Sequence, residues 1–279
     1  MKVPPLVSAA VRVLHGIAPP LARGLARRLF FTPPRPRTSG RTRELQASGS
    51  PFVLRVRGGR VRGWSWGKGP AVYLVHGWGG RASSLRAFVE PLVARGFTVV
   101  AIDAPGHGAS DGRISTLLHF ADALEAAARE VAPAHAVVAH SMGAAAAAYA
   151  LRRGALAAER VVFLGAAADP FRFHDVFMQA VGLPREQWRL SEREIEKWLG
   201  IGKREISLPE AAPGMTVPLL AFHDAGDPEV PWSESGEIVA AWPGARLVTT
   251  RGLGHREILR DPEVIRAAVG FLAGTPARV

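Results

Sequence analysis

The sequence predicts an α/β fold, namely a mostly parallel, doubly wound sheet of about eight strands with a small helical cap. From residue 51 onward, short apolar runs rich in β-branched residues alternate with segments of helical periodicity. Such alternation is typical of a parallel sheet covered by helices on both faces. One connection is more than fifty residues long, and connections of that length are usually inserted functional elements.

The elements follow one another in a regular order. Two β-runs flanking Gly58–Gly59 predict a hairpin. The predicted strands cover residues 52–57, 61–66, 72–75, 98–102, 136–139, 161–164, 219–222 and 246–249. The predicted helices cover about 83–95, 116–131, 142–153, 233–241 and 262–273. The long connection, about 170–214, contains charged helical sequence with tryptophan and is expected to form the cap, which makes 51–279 one domain.

The positive charge of the chain lies in its N-terminal part. The net charge is +11, and residues 1–62 contain 13 Lys/Arg against one acid, Glu44. Residues 63–279 contain 22 Lys/Arg against 23 acids, so the body is near neutral and no nucleic-acid partner is predicted. The chain has no cysteine, which excludes disulfides, a cysteine nucleophile and cysteine-based metal sites. A reducing compartment fits this composition, and a cytoplasmic location is expected.

Residues 1–50 are predicted to form a separate N-terminal region. Residues 1–31 have the pattern of one or two basic amphipathic helices broken at Pro19–Pro20, and 32–50 have the composition of a linker or surface strap. The apolar stripe can pack on the body, or residues 1–43 can contact an anionic membrane. The first alternative is favoured because the proline pair interrupts a long interfacial helix. A signal peptide is not expected, since Arg12 and His15 interrupt the apolar stretch.

Ser141 is the candidate nucleophile. The β-run over 136–139 leads into Ala139-His140-Ser141-Met142-Gly143, and an alanine-rich helical segment follows. A sharp turn from strand to helix exposes a serine hydroxyl and tolerates only small residues two positions to either side. Alanine and glycine occupy those two positions here. The alternative, a buried serine in an ordinary turn, does not account for this context.

A glycine-rich loop after an earlier strand supplies half of a candidate oxyanion hole. The run over 72–75 ends in the sequence HGWGG, residues 76–80. Acyl transfer requires two backbone N–H groups directed at the developing negative charge on the substrate oxygen. We expect these groups from Trp78 and Met142. His76 lies inside the turn and is expected to be structural.

His255 is the candidate general base. A serine nucleophile needs a base, and ligands of parallel sheets bind at the carboxyl ends of the strands. His107, His140 and His223 also follow predicted strands. In the chain order nucleophile, acid, base, however, only His255 or, less well, His223 can come last.

Three aspartates compete to be the acid that orients the imidazole. Asp227 lies in the loop after the strand over 219–222, 28 residues before the candidate base, and is favoured. Asp169, which follows an earlier strand, is the second choice. Asp224 is still at its strand end and can instead tie the loop down. Asp103 precedes the nucleophile and is predicted to organise its own loop.

Five strings of residues resemble the motifs of the α/β-hydrolase superfamily. HGWGG, DAPGHGAS, AHSMGA, HDAGDPEVP and GLGH occur in that order between residues 52 and 273, and together they are specific for the fold but not for a substrate. The resemblance implies Ser141 as nucleophile, Asp227 as acid and His255 as base, with the amides of Trp78 and Met142 as oxyanion hole. Serine at this position argues against the dehalogenase and epoxide-hydrolase branches, which use aspartate there.

The predicted activity is hydrolysis of a small carboxylic ester through an acyl-enzyme, without a metal or organic cofactor. Thioester hydrolysis, C–C hydrolysis and perhydrolysis by the same triad are alternatives. A non-catalytic binding protein is less favoured because all three triad positions are occupied. The acyl pocket is predicted between the cap and the sheet edge, lined by Trp78, Phe171, Phe173 and Phe177. Packing of the cap on the core is the alternative role for the phenylalanines.

Overall fold

A single eight-stranded sheet forms the centre of the computed structural model, which describes residues 3–274. The strands are β1 Ser50–Val56, β2 Gly59–Trp66, β3 Ala71–Val75, β4 Thr98–Asp103, β5 Ala134–His140, β6 Arg160–Leu164, β7 Leu219–Asp224 and β8 Arg246–Thr250. Their order is β1-β2-β4-β3-β5-β6-β7-β8. β2 pairs antiparallel with β1 and β4, and every other pairing is parallel. The predicted sheet is therefore confirmed.

Helices cover both faces of this sheet. They are α1 Pro5–Ile17, α2 Pro19–Phe30, α3 Gly40–Ser48, α4 Val89–Val93, α5 Leu117–Glu130, α6 Met142–Arg152, α7 Pro170–Ala180, α8 Arg185–Leu199, α9 Lys203–Ile206, α10 Leu208–Ala211, α11 Trp232–Ala241, α12 Gly254–Glu257 and α13 Pro262–Leu272. Two 3-10 helices, Ala82–Phe88 and Ala212–Gly214, complete the helical elements. None of these described helices has the length and apolarity that crossing a bilayer requires.

The core lies in two layers, one on each face of the sheet. Successive strand side chains point to opposite faces, so Tyr73 and Val75 enter one layer while Val72 and Leu74 enter the other. The first layer contains α5 and α6, and the second contains α4 and α13. Every alanine of the run 144–148 is buried, which lets α6 lie close to the sheet. Packing on both faces of the sheet therefore fixes the positions of the strand ends that precede the candidate site residues.

The cap is the helical segment between β6 and β7. Helices α7 to α10 and the second 3-10 helix occupy this connection. A buried carboxylate fixes the base of the segment, because Glu234 on α11 accepts a hydrogen bond of 2.7 Å from the amide of Ala168. The hydrogen bond thus anchors the start of the cap, after the carboxyl end of β6, to the helix that follows the β7 loop.

The helices α1 and α2 form a hairpin, here the N-terminal hairpin, which packs on the cap. Val11, Ala22 and Ala26 are fully buried against a cap cluster that includes Met178 and Val181. Arg23 forms an ion pair of 2.7 Å with Glu194 on α8, and Arg27 pairs with the same carboxylate. The hairpin therefore extends the cap through both apolar and ionic contacts.

The segment 32–50 differs from the predicted linker, because it contains the helix α3. Ser39 caps this helix by accepting a hydrogen bond from the amide of Thr42. The Thr42 hydroxyl lies 3.0 Å from that of Ser83 on the first 3-10 helix. The prediction missed α3 since the helix is polar and carries no periodic apolar stripe, so capping and tertiary contact stabilise it.

Candidate active site

Ser141 lies in a strained turn between β5 and α6. Among residues 3–274 it is the only non-glycine residue with a positive φ, at φ 53° and ψ −123°. Such a conformation costs on the order of 1–3 kcal/mol and persists where the surrounding structure enforces it. The enforcing contacts include the amide of Ser141, which donates to the carbonyl of Leu164 at 3.0 Å. A β-carbon on Gly143 would lie 2.5 Å from the carbonyl oxygen of His76, so only glycine fits there.

The candidate base and acid form a short, buried hydrogen bond. His255 Nδ1 lies 2.7 Å from Asp227 Oδ2, and the two side chains are only 5% and 1% exposed. Because a carboxylate only accepts hydrogen bonds, the proton belongs on Nδ1. The lone pair of Nε2 is therefore available to take a proton from a hydroxyl.

The carboxylate of Asp227 is held in its charged form. Its Oδ1 accepts hydrogen bonds from the amides of Glu229 and Val230, at 2.8 and 2.9 Å. Burial favours the neutral acid, but the hydrogen bonds from His223 and His255 outweigh it and place the pKa of Asp227 well below its usual range. This carboxylate therefore stays ionised at any pH at which the protein is expected to work.

His223, the second candidate for the base, supports the acid instead. Its ring is fully buried, with Nε2 3.0 Å from the carbonyl of Val230 and 3.3 Å from Asp227 Oδ2. Its Nδ1 lies 2.7 Å from the hydroxyl of Ser235. Both ring nitrogens of His223 are thus used within the protein, and the choice of His255 as the base stays a prediction.

The loops of the candidate nucleophile and base meet through His140, which directly precedes Ser141. The rings of His140 and His255 have their centroids 4.5 Å apart. His140 Nε2 donates a hydrogen bond of 3.0 Å to the backbone carbonyl of His255. Burial, followed by the neighbouring His255, lowers the pKa of His140 to about 3, so its ring is neutral. Sequence analysis noted this residue only for its place at a strand end.

Of the two predicted oxyanion donors, Met142 directly follows the strained serine, and Trp78 directly follows a glycine whose backbone approaches it. Met142 is the first residue of α6, where N–H groups have no acceptor within the helix and the helix dipole is positive. Trp78 follows Gly77, whose backbone approaches the turn so closely that a β-carbon there would lie 2.9 Å from Cβ of Ser141. Within the described part of the chain, neither amide donates to a protein acceptor.

Comparison with known proteins identifies the family of this chain. The model of the alpha/beta hydrolase family matches residues 72–268. The chain belongs to the alpha/beta hydrolase family. A non-heme haloperoxidase from Rhodococcus erythropolis is 26% identical over 78% of this chain and 97% of its own length. A serine hydrolase-like protein from Danio rerio is 32% identical over 37% of this chain, and this chain spans only 33% of that protein's length.

Solved structures of this family share the fold. An esterase from Exiguobacterium antarcticum has a TM-score of 0.64 at 16% identity, covering 80% of this chain and 99% of its own. A hydrolase from Pseudomonas aeruginosa has a TM-score of 0.63 at 22% identity, covering 82% and 100%. A meta-cleavage product hydrolase from Pseudomonas fluorescens has a TM-score of 0.61 at 18% identity, covering 82% and 99%.

The other aspartates considered for the acid have structural roles in this member of the family. Asp224 accepts hydrogen bonds from the amides of Gly226 and Leu253 and from the hydroxyl of Thr250, each at 2.9 Å. It thereby ties the β7 loop to the β8 loop that carries the candidate base. Asp169 caps α7 by accepting from the amide of Phe171 at 2.9 Å.

Asp103 and His76 organise the loops below the site, as predicted. The two carboxylate oxygens of Asp103 accept hydrogen bonds from the amides of Ala82 and Ala109, each at 2.7 Å. His76 Nε2 accepts from the amide of Ala104 at 3.0 Å, so Nδ1 carries the proton and donates to the carbonyl of Gly77 at 2.7 Å. Burial lowers the pKa of His76 to about 4. This neutral ring therefore braces the loop that presents Trp78.

The predicted pocket residues have different surroundings. Trp78 is half-buried, with its ring 5.2 Å from that of His107. Phe171 is buried in the core layer of α6, and Phe177 is buried where the cap meets the N-terminal hairpin. Packing, the alternative role, accounts for these two phenylalanines. Phe173 is half-buried, and its role as a pocket residue stays a prediction.

One group in the cap has the composition of a metal site. His174, Asp175 and Glu192 place ligand atoms within 4.8 Å of one another. The ammonium of Lys203 lies 3.6 Å from Glu192, and His174 Nε2 is 2.9 Å from the hydroxyl of Ser191. A lysine beside the carboxylate supplies the positive charge that a metal ion would bring. We therefore assign this group to the packing of the cap.

Proposed function

We propose that this chain is a serine hydrolase that cleaves a carboxylic ester through an acyl-enzyme. The observation that carries the proposal is the strained, positive-φ Ser141, which directly follows His140, a residue whose ring contacts His255 of the buried Asp227–His255 pair. Strain of this kind is typical of functional sites, and a buried acid–histidine pair is the usual means of activating a serine hydroxyl.

The first half of the reaction forms the acyl-enzyme. His255 Nε2 takes the hydroxyl proton of Ser141 as Oγ bonds to the ester carbonyl carbon. The carbonyl oxygen becomes an oxyanion, and the amides of Trp78 and Met142 donate hydrogen bonds to it. The C–O bond to the alcohol then breaks, and the imidazolium returns its proton to the departing oxygen.

The second half releases the acid. His255 takes a proton from water as the water oxygen attacks the acyl carbon, and a second oxyanion forms in the same hole. The bond to Oγ breaks, Ser141 regains a proton from the imidazolium, and the carboxylic acid leaves. Asp227 stays negatively charged throughout, where it orients the ring and stabilises its charged form.

Support for an ester substrate comes from the site and from similar proteins. The site supplies a nucleophile, a base and two free amides, which is what acyl transfer requires. The structural neighbour from Exiguobacterium antarcticum is an esterase. The haloperoxidase from Rhodococcus erythropolis, which aligns with most of this chain, favours perhydrolysis as a second candidate. In that reaction hydrogen peroxide replaces water, and the acyl group leaves as a peracid.

A panel of substrates tests the proposal. We expect saturable release of p-nitrophenol from esters of increasing acyl length, with an optimum along the series, and none above background with Ser141→Ala. Thioesters with the same acyl chains are assayed in parallel. In a second parallel assay hydrogen peroxide is added to the esters, and peracid formation is measured by the oxidation of bromide. Turnover of thioesters alone, or peracid formation without ester hydrolysis, would overturn the ester assignment. Equal turnover by Ser141→Ala would overturn the serine mechanism.

A further inference from the structure

Large apolar side chains are exposed on the outside of the N-terminal hairpin. Nine such side chains are exposed among residues 3–274, and five of them belong to this one hairpin. They are Leu6, Val13 and Ile17 on α1 and Leu21 and Leu25 on α2. Leu6 is 84% exposed and Ile17 is 79% exposed. Isolated exposed apolar residues are ordinary, whereas a cluster of this kind marks a binding surface.

The outer face is separate from the one that holds the hairpin in the fold. Leu6, Val13 and Ile17 are spaced seven and four residues apart, which places them on one side of α1. Val11 lies on the opposite side and is fully buried, as are Ala22 and Ala26 on α2. Because the inner face already packs on the cap, the outer face has no role in the stability of the fold.

Positive charge accompanies the exposed apolar residues. Residues 3–43 contain no acidic residue, and α1 and α2 contribute four arginines. Glu194 neutralises Arg23 and Arg27. Arg12 and Arg28 are exposed, and neither forms an ion pair with a described residue, although the side chain of Arg12 runs along Gly182 of the cap. On α2, Arg28 lies seven residues after Leu21 and therefore on the same side of the helix.

We propose that the outer face of the N-terminal hairpin docks on an anionic lipid bilayer. The five apolar side chains enter the interface, and the headgroups contact Arg28 within the outer face and Arg12 at its cap-side edge. The helices have 13 and 12 residues, so they lie along a membrane and do not span it. A second copy of the chain fits less well, because a two-fold contact pairs this face with itself, and residues 3–43 offer no carboxylate to meet its arginines.

The hairpin also has a direct connection to the candidate active site. After α2, Phe31 enters the core, and Arg35 donates to the carbonyls of Gly106 and Ser110, each at 2.7 Å. A β-carbon on Gly79 would lie 2.8 Å from Cγ of Pro34, so this segment rests on the loop that carries Trp78. Docking through the hairpin would thus hold the catalytic domain in one orientation on the membrane.

Vesicle binding by the full chain, measured without substrate, tests the proposal independently of the proposed function. Phosphatidylcholine vesicles with about 30% phosphatidylglycerol are compared with pure phosphatidylcholine. We expect wild type to bind the anionic vesicles, with binding weakened at about 0.5 M salt. The variant Leu6→Ser/Ile17→Ser/Leu21→Ser should bind at least about a thousandfold more weakly, since each of the three buried side chains contributes about a factor of ten or more.

Two further variants control this measurement. Val53→Ser/Trp232→Ser removes exposed apolar side chains on β1 and α11 and should bind as wild type does. Arg12→Gln/Arg28→Gln should lose about fivefold per arginine on anionic vesicles only. This charge variant keeps the test decisive if the triple variant melts lower. The proposal would be overturned if wild type did not bind the anionic vesicles. It would also be overturned if the triple variant and the charge variant both bound them as tightly as wild type does. So would a wild-type dimer, seen by analytical ultracentrifugation, that the triple variant abolishes.

Discussion

The carboxyl edge of the sheet and the outer face of the N-terminal hairpin differ in the contacts that their side chains make within the protein. At the sheet edge, Asp227, His255 and His223 each have a close polar partner. On the hairpin, Leu6 and Ile17 face solvent with most of their surface. Fixed polar geometry is what catalysis needs, and exposed apolar surface is what binding needs. Substitutions in the two regions should therefore affect different measurements.

The largest expected effect is that of Ser141→Ala. Loss of the attacking hydroxyl should lower the rate of ester hydrolysis by about 10⁴-fold or more, because the base then has nothing to activate. The melting temperature should change little, since alanine keeps the β-carbon of the strained turn and removes only the hydroxyl. A fluorophosphonate probe should label wild type and leave the variant unlabelled. Labelling of another residue in wild type would contradict the assignment.

Asp227→Asn should be nearly as severe. The amide cannot stabilise the imidazolium and favours the wrong tautomer of His255, so kcat should fall by about 10⁴-fold. Asp224→Asn and Asp169→Asn are the matched controls. Asp224→Asn should lower stability by loosening a loop, whereas Asp169→Asn should change stability little because asparagine caps a helix as well as aspartate does. Both variants should leave kcat within about tenfold of wild type. A larger loss of kcat in Asp169→Asn would move the acid to the loop after β6.

Removal of the N-terminal region tests the inner face of the hairpin. A chain that begins at Gly49 exposes the cap cluster that contains Met178 and Val181. It also loses the buried side chain of Phe31 from the core. We expect this chain to aggregate or to melt at a lower temperature than the full protein. An unchanged melting temperature would mean that the region is no part of the fold.

Two valines of α1 that are two residues apart lie on different faces of the helix. Val11 is fully buried, and Val13 is 66% exposed. Val11→Ala should lower the free energy of unfolding by about 2 kcal/mol, because it leaves a cavity beneath the hairpin. Val13→Ala should change it by less than about 0.5 kcal/mol. Urea unfolding of both variants is the measurement, and equal effects would contradict the two-faced hairpin.

The last expected effect is a dependence of stability on pH. Burial lowers the pKa values of His76 to about 4 and of His107 and His140 to about 3. Below about pH 6.5 the unfolded chain binds protons that the folded protein does not, so stability falls as the pH falls. Each ring contributes up to about 1.4 kcal/mol per pH unit. His107→Asn should make this slope shallower in urea unfolding between about pH 7 and pH 5, and an unaltered slope would contradict the neutral buried ring.

The strands and the nucleophile turn were predictable because their signals are local. The apolar run before Ser141 and the small residues on either side of it specify a sharp turn within a few positions. The same is true of β3 and β7, whose predicted spans differ from the observed ones by one or two residues. The order nucleophile, acid, base along the chain then reduced the candidates for the base to two histidines.

The tertiary structure decided what depends on contacts between distant residues. Local sequence favoured Asp227 without excluding Asp224, and only the positions of the β7 and β8 loops show which of the two meets the imidazole. His140 contacts the backbone of His255 across 115 residues, and no periodic pattern encodes that approach.

The hairpin illustrates the same division. Periodicity identified α1 and α2 as amphipathic, and the proline pair marked the break between them. A period of 3.6 residues does not state how many apolar faces a helix has or which one is covered. The ion pair between Arg23 and Glu194, 171 residues apart, orients the hairpin on the cap and leaves Leu21 outside. Local sequence thus determined the elements, whereas packing determined which of their surfaces remain free, because burial depends on every element that shares the interface.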